Sequence, residues 1–483
     1  MKPFGRTLFA LIPLLAACGS VTDNVSSSVD KTTQLQVGQQ VALLEGVEED
    51  FEHGFYDGFE TLNPESWMIG KGYWGVNNGG VSPENVFLTD DGQLLLRGLG
   101  SYYSKGEVES YGAYKDGRKC GACLVSRFGI GPGHFEIRMM ALPRQGACTA
   151  FWTYGNRAVE GEENENAEID WELPGGSKSG RITFEKGLNT NWVSEMAFDS
   201  VEFALDKVYP DADFVAFNDE KYHTYAFDWY TDPEMVVYSV DGVITNISTL
   251  FVPTLEGRLW LGVWFPDGFV GSADFEEDYM TVDHVRYTPF LNQPVNEFDA
   301  VPSLSEAPKE DYEGRIREPS KANKVSGGDF EFASRLESAS PLYGEYIQNK
   351  GWSFLKKVTE KKPLEEVCYP ISNSLYGKGG KNVAMVQEGG VLRQNIDSVY
   401  EGYEYDFSFD GKALQGEGKA LVKFLGASED EVLEEQEIAI SSSDFQAYGS
   451  SIKAPKGSQS LRLEFRSNKG VVTYIDNVKL YRK

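Results

Sequence analysis

Three acids stand two residues apart in the stretch AEIDWELPGG, which begins at Ala167: Glu168, Asp170 and Glu172, separated by Ile169, Trp171 and Leu173. On a helix Glu168 and Glu172 would share a face while Asp170 pointed away. On a strand all three carboxyls share one face and the three apolar side chains the other. The two-residue alternation, the bulky Ile and Trp and the PGG turn that stops the run predict a strand. A strand with its charged face in water also alternates, but such a face more usually mixes signs, and three adjacent carboxylates repel one another. Crowding has a chemical use: it raises the pKa of one acid, so that one carboxyl stays protonated near neutral pH beside another that is ionised. Cleavage of a glycosidic bond with retention takes two carboxyls about 5–5.5 Å apart. With a rise of about 3.3 Å per residue, Glu168 and Glu172 lie about 13 Å apart at Cα. They meet only if the sheet is concave and the long side chains lean inward. Asp170, about 6.6 Å from each at Cα, is placed to hydrogen-bond a neighbouring Glu and tune it.

Aromatic residues surround this row in the sequence. Trp152 and Tyr154 share a face of AFWTYG, and Trp260 and Trp264 share a face of RLWLGVW with Gly262 between them. Indole and phenol rings at such spacing either stack on sugar rings or pack a core. Beside the acid row, Trp152 and Trp264 are expected to line a cleft, with Tyr154, Glu185, Asn189 and Trp192 as further candidates for substrate contact. The four histidines, His53, His134, His223 and His284, form no ligand-spaced cluster. CGAC at Cys120–Cys123 has metal-ligand spacing but no second pair follows it. Buried thiols or one disulfide are the alternatives for Cys120, Cys123, Cys148 and Cys368.

The elements that must position these residues read as β-structure. From Phe51 to Phe290 short alternating runs such as GHFEIRMMAL, YHTYAFDWY and EMVVYSVDG are separated by Gly, Asn and Asp, with no long amphipathic helix. Many strands at this spacing predict a sandwich or jelly roll. Residues 291–325 are rich in Pro and charge and read as a linker. Residues 326–483 carry a second β-pattern of a length that suits one smaller sandwich. Few contacts are expected to cross such a linker, so a chain ending near Phe290 should fold alone.

Net charge is −29 over 483 residues. This balance argues against a nucleic-acid partner, because phosphate binding needs a basic surface. A neutral polymer suits the balance better than a heavily sulfated one. Aromatic residues reach 13% of the chain, a supply of flat faces that also suits an all-β core.

EIDWE resembles the E-x-D-x-E signature of glycoside hydrolase family 16. The surrounding NNGGVSPENV, GHFEIRMMALP, AFWTYG, YHTYAFDW, VDGV, RLWLGVWFPDG and VDHVRYTP follow in the family's order, over roughly residues 51–290. The resemblance implies an all-β fold, a concave β-jelly roll of the concanavalin-like sandwich type, and a double-displacement mechanism. In it Glu168 is the nucleophile, Glu172 the acid/base and Asp170 the partner of Glu168. No cofactor takes part in that chemistry. The short form of the signature resembles lichenases, xyloglucan-active enzymes and chitin–glucan transglycosylases. LPGG and FEKGLNTNW depart from the lichenase pattern. The implied substrate is a neutral β-glucan, mixed-linkage first and β-1,3 second, with transglycosylation and non-catalytic glycan capture as rival readings. Asp283 falls where family members help to hold a structural calcium; a surface Asp at a strand start is the alternative. The C-terminal region resembles carbohydrate-binding sandwiches through GGDFEF and YIDNVKLY. That likeness implies a calcium shared by Glu331 and Asp476, and glycan contact by Trp352, Tyr376, Tyr403 or Tyr405 unless these are core.

The N-terminus, MKPFGRTLFALIPLLAACGS, sets Lys2 and Arg6 before an apolar run from Leu8 to Ala17 that is too short to span a bilayer. It resembles a bacterial lipoprotein signal over residues 1–17, whose removal leaves Cys18 lipidated at the head of a tether, residues 18–50. The expected location is an exported protein anchored to a bacterial membrane by its lipid, at the cell surface or facing the periplasm. Cys18→Ser should then move the protein from the membrane fraction to the soluble fraction on cell fractionation. An unchanged membrane fraction would refute lipidation.

Overall fold

The computed structural model describes residues 35–173, 184–208, 214, 216–266, 270–298, 309, 312–317, 322–331, 347–356, 368–372, 382–397, 399 and 401–483. Cys18, the lipoprotein signal and Tyr376 lie outside them. The regular elements among the described residues are almost all strands, with one four-residue α-helix, Leu205–Val208, and one 3-10 turn, Pro83–Asn85.

The first unit is a concave β-jelly roll of two packed sheets. The front sheet runs Phe198–Ala204, Lys186–Trp192, Glu168–Leu173, Cys148–Tyr154, Arg258–Trp264, Cys120–Ser126, Trp67–Ile69, all antiparallel. The acidic strand is thus internal, with a neighbour on each side. The back sheet runs Val243–Ser248, Glu234–Val240, His223–Thr231, Gly133–Met140, Glu277–Leu291, Leu94–Leu99, Val86–Leu88. Alternation places Ile169, Trp171 and Leu173 between the sheets, each no more than 1% exposed. Trp171 meets Phe203, Tyr225 and Tyr238 edge-on, and its indole N–H donates to the Ala226 carbonyl at 3.0 Å. That bond satisfies the one polar group of the buried indole and pins the acidic strand to the back sheet. Truncating a core aromatic of this size costs about 3–5 kcal/mol.

The second unit packs a six-stranded sheet on a five-stranded one. Its core includes Trp352, Phe354, Tyr405, Phe407, Phe409 and Phe465. Trp352 and Tyr405 are fully buried, and the Trp352 indole N–H donates to the Gly327 carbonyl at 3.0 Å. Both are core residues, not glycan contacts.

The independence expected of the two units is corrected by the contacts between them. Part of the linker is structural: Tyr312 is buried in the first core, and Arg315 and Arg317 exchange backbone hydrogen bonds with Leu88. The tether is shorter than expected, because Leu44 is buried against Tyr230 and Met235 and Glu48–Glu49 pairs with Phe290 and Leu291. Buried charges then cross the seam. Arg144 donates to Asp278 at 2.8 Å in its own unit, to Asp397 at 2.9 Å in the second and to the Lys324 carbonyl at 3.1 Å. Glu220 pairs with Lys324 and, at 2.6 Å, with Arg482. The Glu220 carbonyl accepts the Tyr403 hydroxyl at 3.0 Å, and Arg482 lies over the Tyr403 ring. Tyr403 is therefore an interface residue. Three cations and three carboxylates balance at this seam, and a buried charge is tolerable only while so matched. The sequence pattern of the linker could not show this, because its partners lie on loops hundreds of residues apart.

Glu220→Ala leaves Lys324 buried without its carboxylate and should cost about 3–5 kcal/mol, read as a lower midpoint in urea unfolding. A chain ending at Phe290 loses Tyr312, Lys324, Asp397 and Arg482 together, and should be poorly soluble or unfolded by circular dichroism. A soluble, cooperatively folding fragment would show that the seam adds little.

Candidate active site

Antiparallel register decides which side chains share the acidic face. Across the acidic strand Glu168 lies opposite Trp192, Asp170 opposite Thr190 and Trp152, and Glu172 opposite Leu188 and Ala150. Beyond them Trp152 pairs with Trp260, and Cys148 with Trp264. Directly opposed residues on neighbouring strands point the same way, so the floor of the concave face carries the three acids with Trp152, Tyr154, Trp192, Trp260 and Trp264. Asn189 is a correction: it lies opposite Trp171, faces the core and is 1% exposed. An odd offset from Trp192 sends it to the other side of the sheet. Glu185 is exposed, just ahead of Lys186–Trp192.

The rings form a continuous surface. Trp152 and Trp260 stack with centroids 5.7 Å apart, and Tyr154 meets Trp260 edge-on. Trp74 was not foreseen. It comes from the Gly-rich GYWGVNNGG loop and leans 6.4 Å from Trp152 and 6.2 Å from Trp264. Gly75 makes this close approach possible: its φ is +69°, and a Cβ there would stand 3.2 Å from the Trp264 ring. Gly262, between Trp260 and Trp264 on the same face, has no open space beside it. A Cβ on Gly262 would lie 2.7 Å from that of Cys123, so the glycine serves strand packing.

Each acid has its own partners. Asp170 accepts the Trp192 indole N–H at 2.9 Å. Glu172 accepts the Cys148 thiol at 3.7 Å and a hydrogen bond from the Trp264 side chain. Glu168 has the Asn166 amide at 3.4 Å and Tyr154 opposite on the next strand. Burial raises the pKa of all three. The charge of Glu172 raises Glu168 further, and both glutamates raise Asp170 further still. The Cys148 and Trp264 hydrogen bonds pull Glu172 part of the way back. Neighbours of like charge cannot all ionise, so the row keeps a proton near neutral pH, as a general acid requires.

The remaining candidates lie elsewhere. The four described cysteines are free and buried. Cys120 and Cys123 sit three apart on one strand and so face opposite sides, which excludes joint metal ligation. His223 is held on the back sheet by Asp241 at 2.6 Å and Asp219 at 3.2 Å, a structural role. Asp283 is paired with Arg138 at 3.5 Å and hydrogen-bonded to the His284 ring at 2.9 Å. In the second unit Glu331 accepts the Asn382 N–H at 2.6 Å, and Asp476 is buried and accepts the Asn477 N–H at 2.8 Å. Among the described residues no three His, Cys, Asp or Glu converge on one metal position.

A carboxyl whose pKa folding has raised stabilises the fold fully below its ordinary value, 3.8 for Asp170, and loses that contribution as pH rises through the raised value. Asp170→Asn is neutral throughout and still accepts from Trp192. It should raise Tm at pH 8 by about 2–4 °C, with the gain vanishing toward pH 4. An equal Tm difference at both pH values would refute the burial of charge at this position.

Known proteins align with this segment. Residues 95–255 match the family model described as Glycosyl hydrolases family 16. A beta-glucanase of Paenibacillus macerans is 26% identical over 243 residues, 48% of this chain and 87% of that protein. One of Bacillus subtilis is 27% identical over 244 residues, 48% of this chain and 86% of that protein. Among solved structures, the beta-glucanase of Bacillus licheniformis is 23% identical with a TM-score of 0.37, covering 48% of this chain and 97% of its own. The laminarinase catalytic domain of Thermotoga maritima is 20% identical with a TM-score of 0.40, covering 51% of this chain and 100% of its own. The acidic strand, both of its neighbours and most of the back sheet thus fall within the stretch, residues 95–255, that matches the model of glycosyl hydrolases family 16.

Proposed function

We propose that the protein is a retaining endo-glycosidase that hydrolyses a β-linked glucan, mixed-linkage β-1,3-1,4 first and β-1,3 second. The observation that carries this is the row Glu168, Asp170, Glu172 set in a floor of indole rings: acids that share a proton, beside flat faces for sugar rings. The beta-glucanase names of the aligned relatives support the same substrate class.

In this reading a glucan lies across the strands, its rings against Trp152, Trp260 and Trp264. Glu172 gives a proton to the leaving oxygen and Glu168 attacks the anomeric carbon to form a glycosyl-enzyme. In the free protein the Cys148 and Trp264 hydrogen bonds favour ionised Glu172 over ionised Glu168, so the shared proton must move onto Glu172 when glucan binds. Glu172, now ionised, takes a proton from water, which displaces Glu168 with a second inversion and so net retention. Asp170, which burial and both glutamates hold toward its protonated form, can donate to the Glu168 carboxylate, easing its departure. Trp192 fixes Asp170 through their 2.9 Å hydrogen bond. No metal or organic cofactor is assigned a step. The substrate is a neutral polysaccharide, and the membrane is reached through the Cys18 lipid alone.

Turnover on a panel of purified glucans, with product anomers followed by proton NMR, tests the reading. Glu168→Gln should lower kcat by several orders of magnitude while binding persists. Glu172→Ala should regain activity with azide and give the β-glycosyl azide, because a small anion attacks the glycosyl-enzyme without a general base. An inverted product, or near-normal turnover by a folded Glu168→Gln variant, would refute the assignment.

A further inference from the structure

The seam between the two units leads back to the acid row. Arg144 belongs to the loop 141–147, which joins the back-sheet strand Gly133–Met140 to the front-sheet strand Cys148–Tyr154. The guanidinium is buried and is held from three sides by Asp278, Asp397 and the Lys324 carbonyl. Asp397 also accepts the Gln145 N–H at 3.4 Å. The loop has no slack on either side of this anchor. The Leu142 N–H donates to Thr149 Oγ1 at 3.0 Å. Gly146 has φ +88°, and a Cβ there would fall 2.3 Å from the Ala273 nitrogen. Four residues after Arg144, Cys148 is fully buried with its thiol on Glu172.

Three of the aromatic candidates for glycan contact in the second unit are already engaged. Of its aromatic candidates, Trp352 and Tyr405 are core and Tyr403 is bound at the seam.

We propose that the C-terminal sandwich is a clamp on the active site, in which Asp397 holds Arg144 and thereby sets Cys148 against Glu172. Asp397 and Arg144 are positioning residues, since neither reaches the cleft floor. The inference rests on the reading of Glu172 as the acid/base. A shift of about 1 Å in a reacting group can cost about 10²-fold in rate, so a loop anchored from another domain is a sensitive point.

The test uses the full chain. Asp397→Ala removes the anchor, Asp397→Asn keeps an acceptor oxygen without the charge, and Lys350→Ala breaks a 2.6 Å contact with Ser104 that crosses the same seam at an exposed point. Two readouts are taken well below Tm, with folding checked by near-UV circular dichroism. The first is kcat and KM on a soluble β-glucan. The second is the rate at which iodoacetamide labels Cys148 relative to Cys368, followed by peptide mass spectrometry. Asp397→Ala should lower kcat about tenfold with KM within about twofold, and should speed Cys148 labelling. Asp397→Asn should fall between it and wild type, and Lys350→Ala should change neither readout. Cys148 labelling at the wild-type rate in the Asp397 variants overturns the clamp, whatever happens to kcat, and so does wild-type kcat in a folded Asp397→Ala variant. If Asp397→Ala does not fold, the same criteria apply to Asp397→Asn. If wild type turns over no glucan, the glucanase reading fails, while the labelling arm still decides the clamp.

Discussion

Three carboxyl groups on one face of a six-residue strand repel one another, and the rest of the catalytic unit is arranged to hold them there. The strand is internal, so its backbone is fixed by ladders on both sides. Its opposite face is buried in the core, with Trp171 pinned to the back sheet through the Ala226 carbonyl. Hydrophobic burial on one side thus offsets electrostatic cost on the other. Neutral donors relieve the acids: two indoles and a thiol supply hydrogen bonds to Asp170 and Glu172 without supplying positive charge. A lysine or arginine in the same places would ionise the row and end its capacity to hold a proton.

The same economy of charge governs the seam between the units, with the opposite solution. There Arg144 is shared by the carboxylates of Asp278 and Asp397, and Glu220 is shared by Lys324 and Arg482. Matched buried ions contribute little net stability but specify one arrangement strongly, because any displaced pairing strands a charge. Such a seam suits a domain that must sit in one place. A tethered glycan-capture module would gain from freedom of movement instead. The chain therefore separates two uses of buried carboxylates: frustrated in the cleft, where proton transfer is wanted, and satisfied at the seam, where position is wanted.

Much of the site was legible in the sequence because strand periodicity is strict. Alternation alone assigned Glu168, Asp170 and Glu172 to one face and Trp171 to the other, and likewise paired Trp152 with Tyr154 and Trp260 with Trp264. It failed where a residue was placed by type and not by parity. Asn189 is three residues from Trp192, so the two cannot share a face. Trp74 escaped notice for another reason: a loop carries no periodicity, and its nearness to the cleft is set by partners far along the chain. Read by type, Cys148 is only a buried thiol or half of a disulfide, although it shares the parity of Trp152.

By itself, then, the sequence determined the all-β class, the two β-rich units and the one-sided acid row, since each follows from local residue spacing. Only the tertiary structure decided that Asn189 faces the core, that Trp74 leans over the cleft, that Trp352 and Tyr405 are core, and that Arg144 and Glu220 bind the second unit to the first. These depend on which strands become neighbours and which loops meet. Such pairings join residues as far as 262 positions apart in the Arg482–Glu220 pair and 342 in the Arg482–Met140 contact, and their energy comes from burying matched groups together, which no stretch of either partner's sequence records.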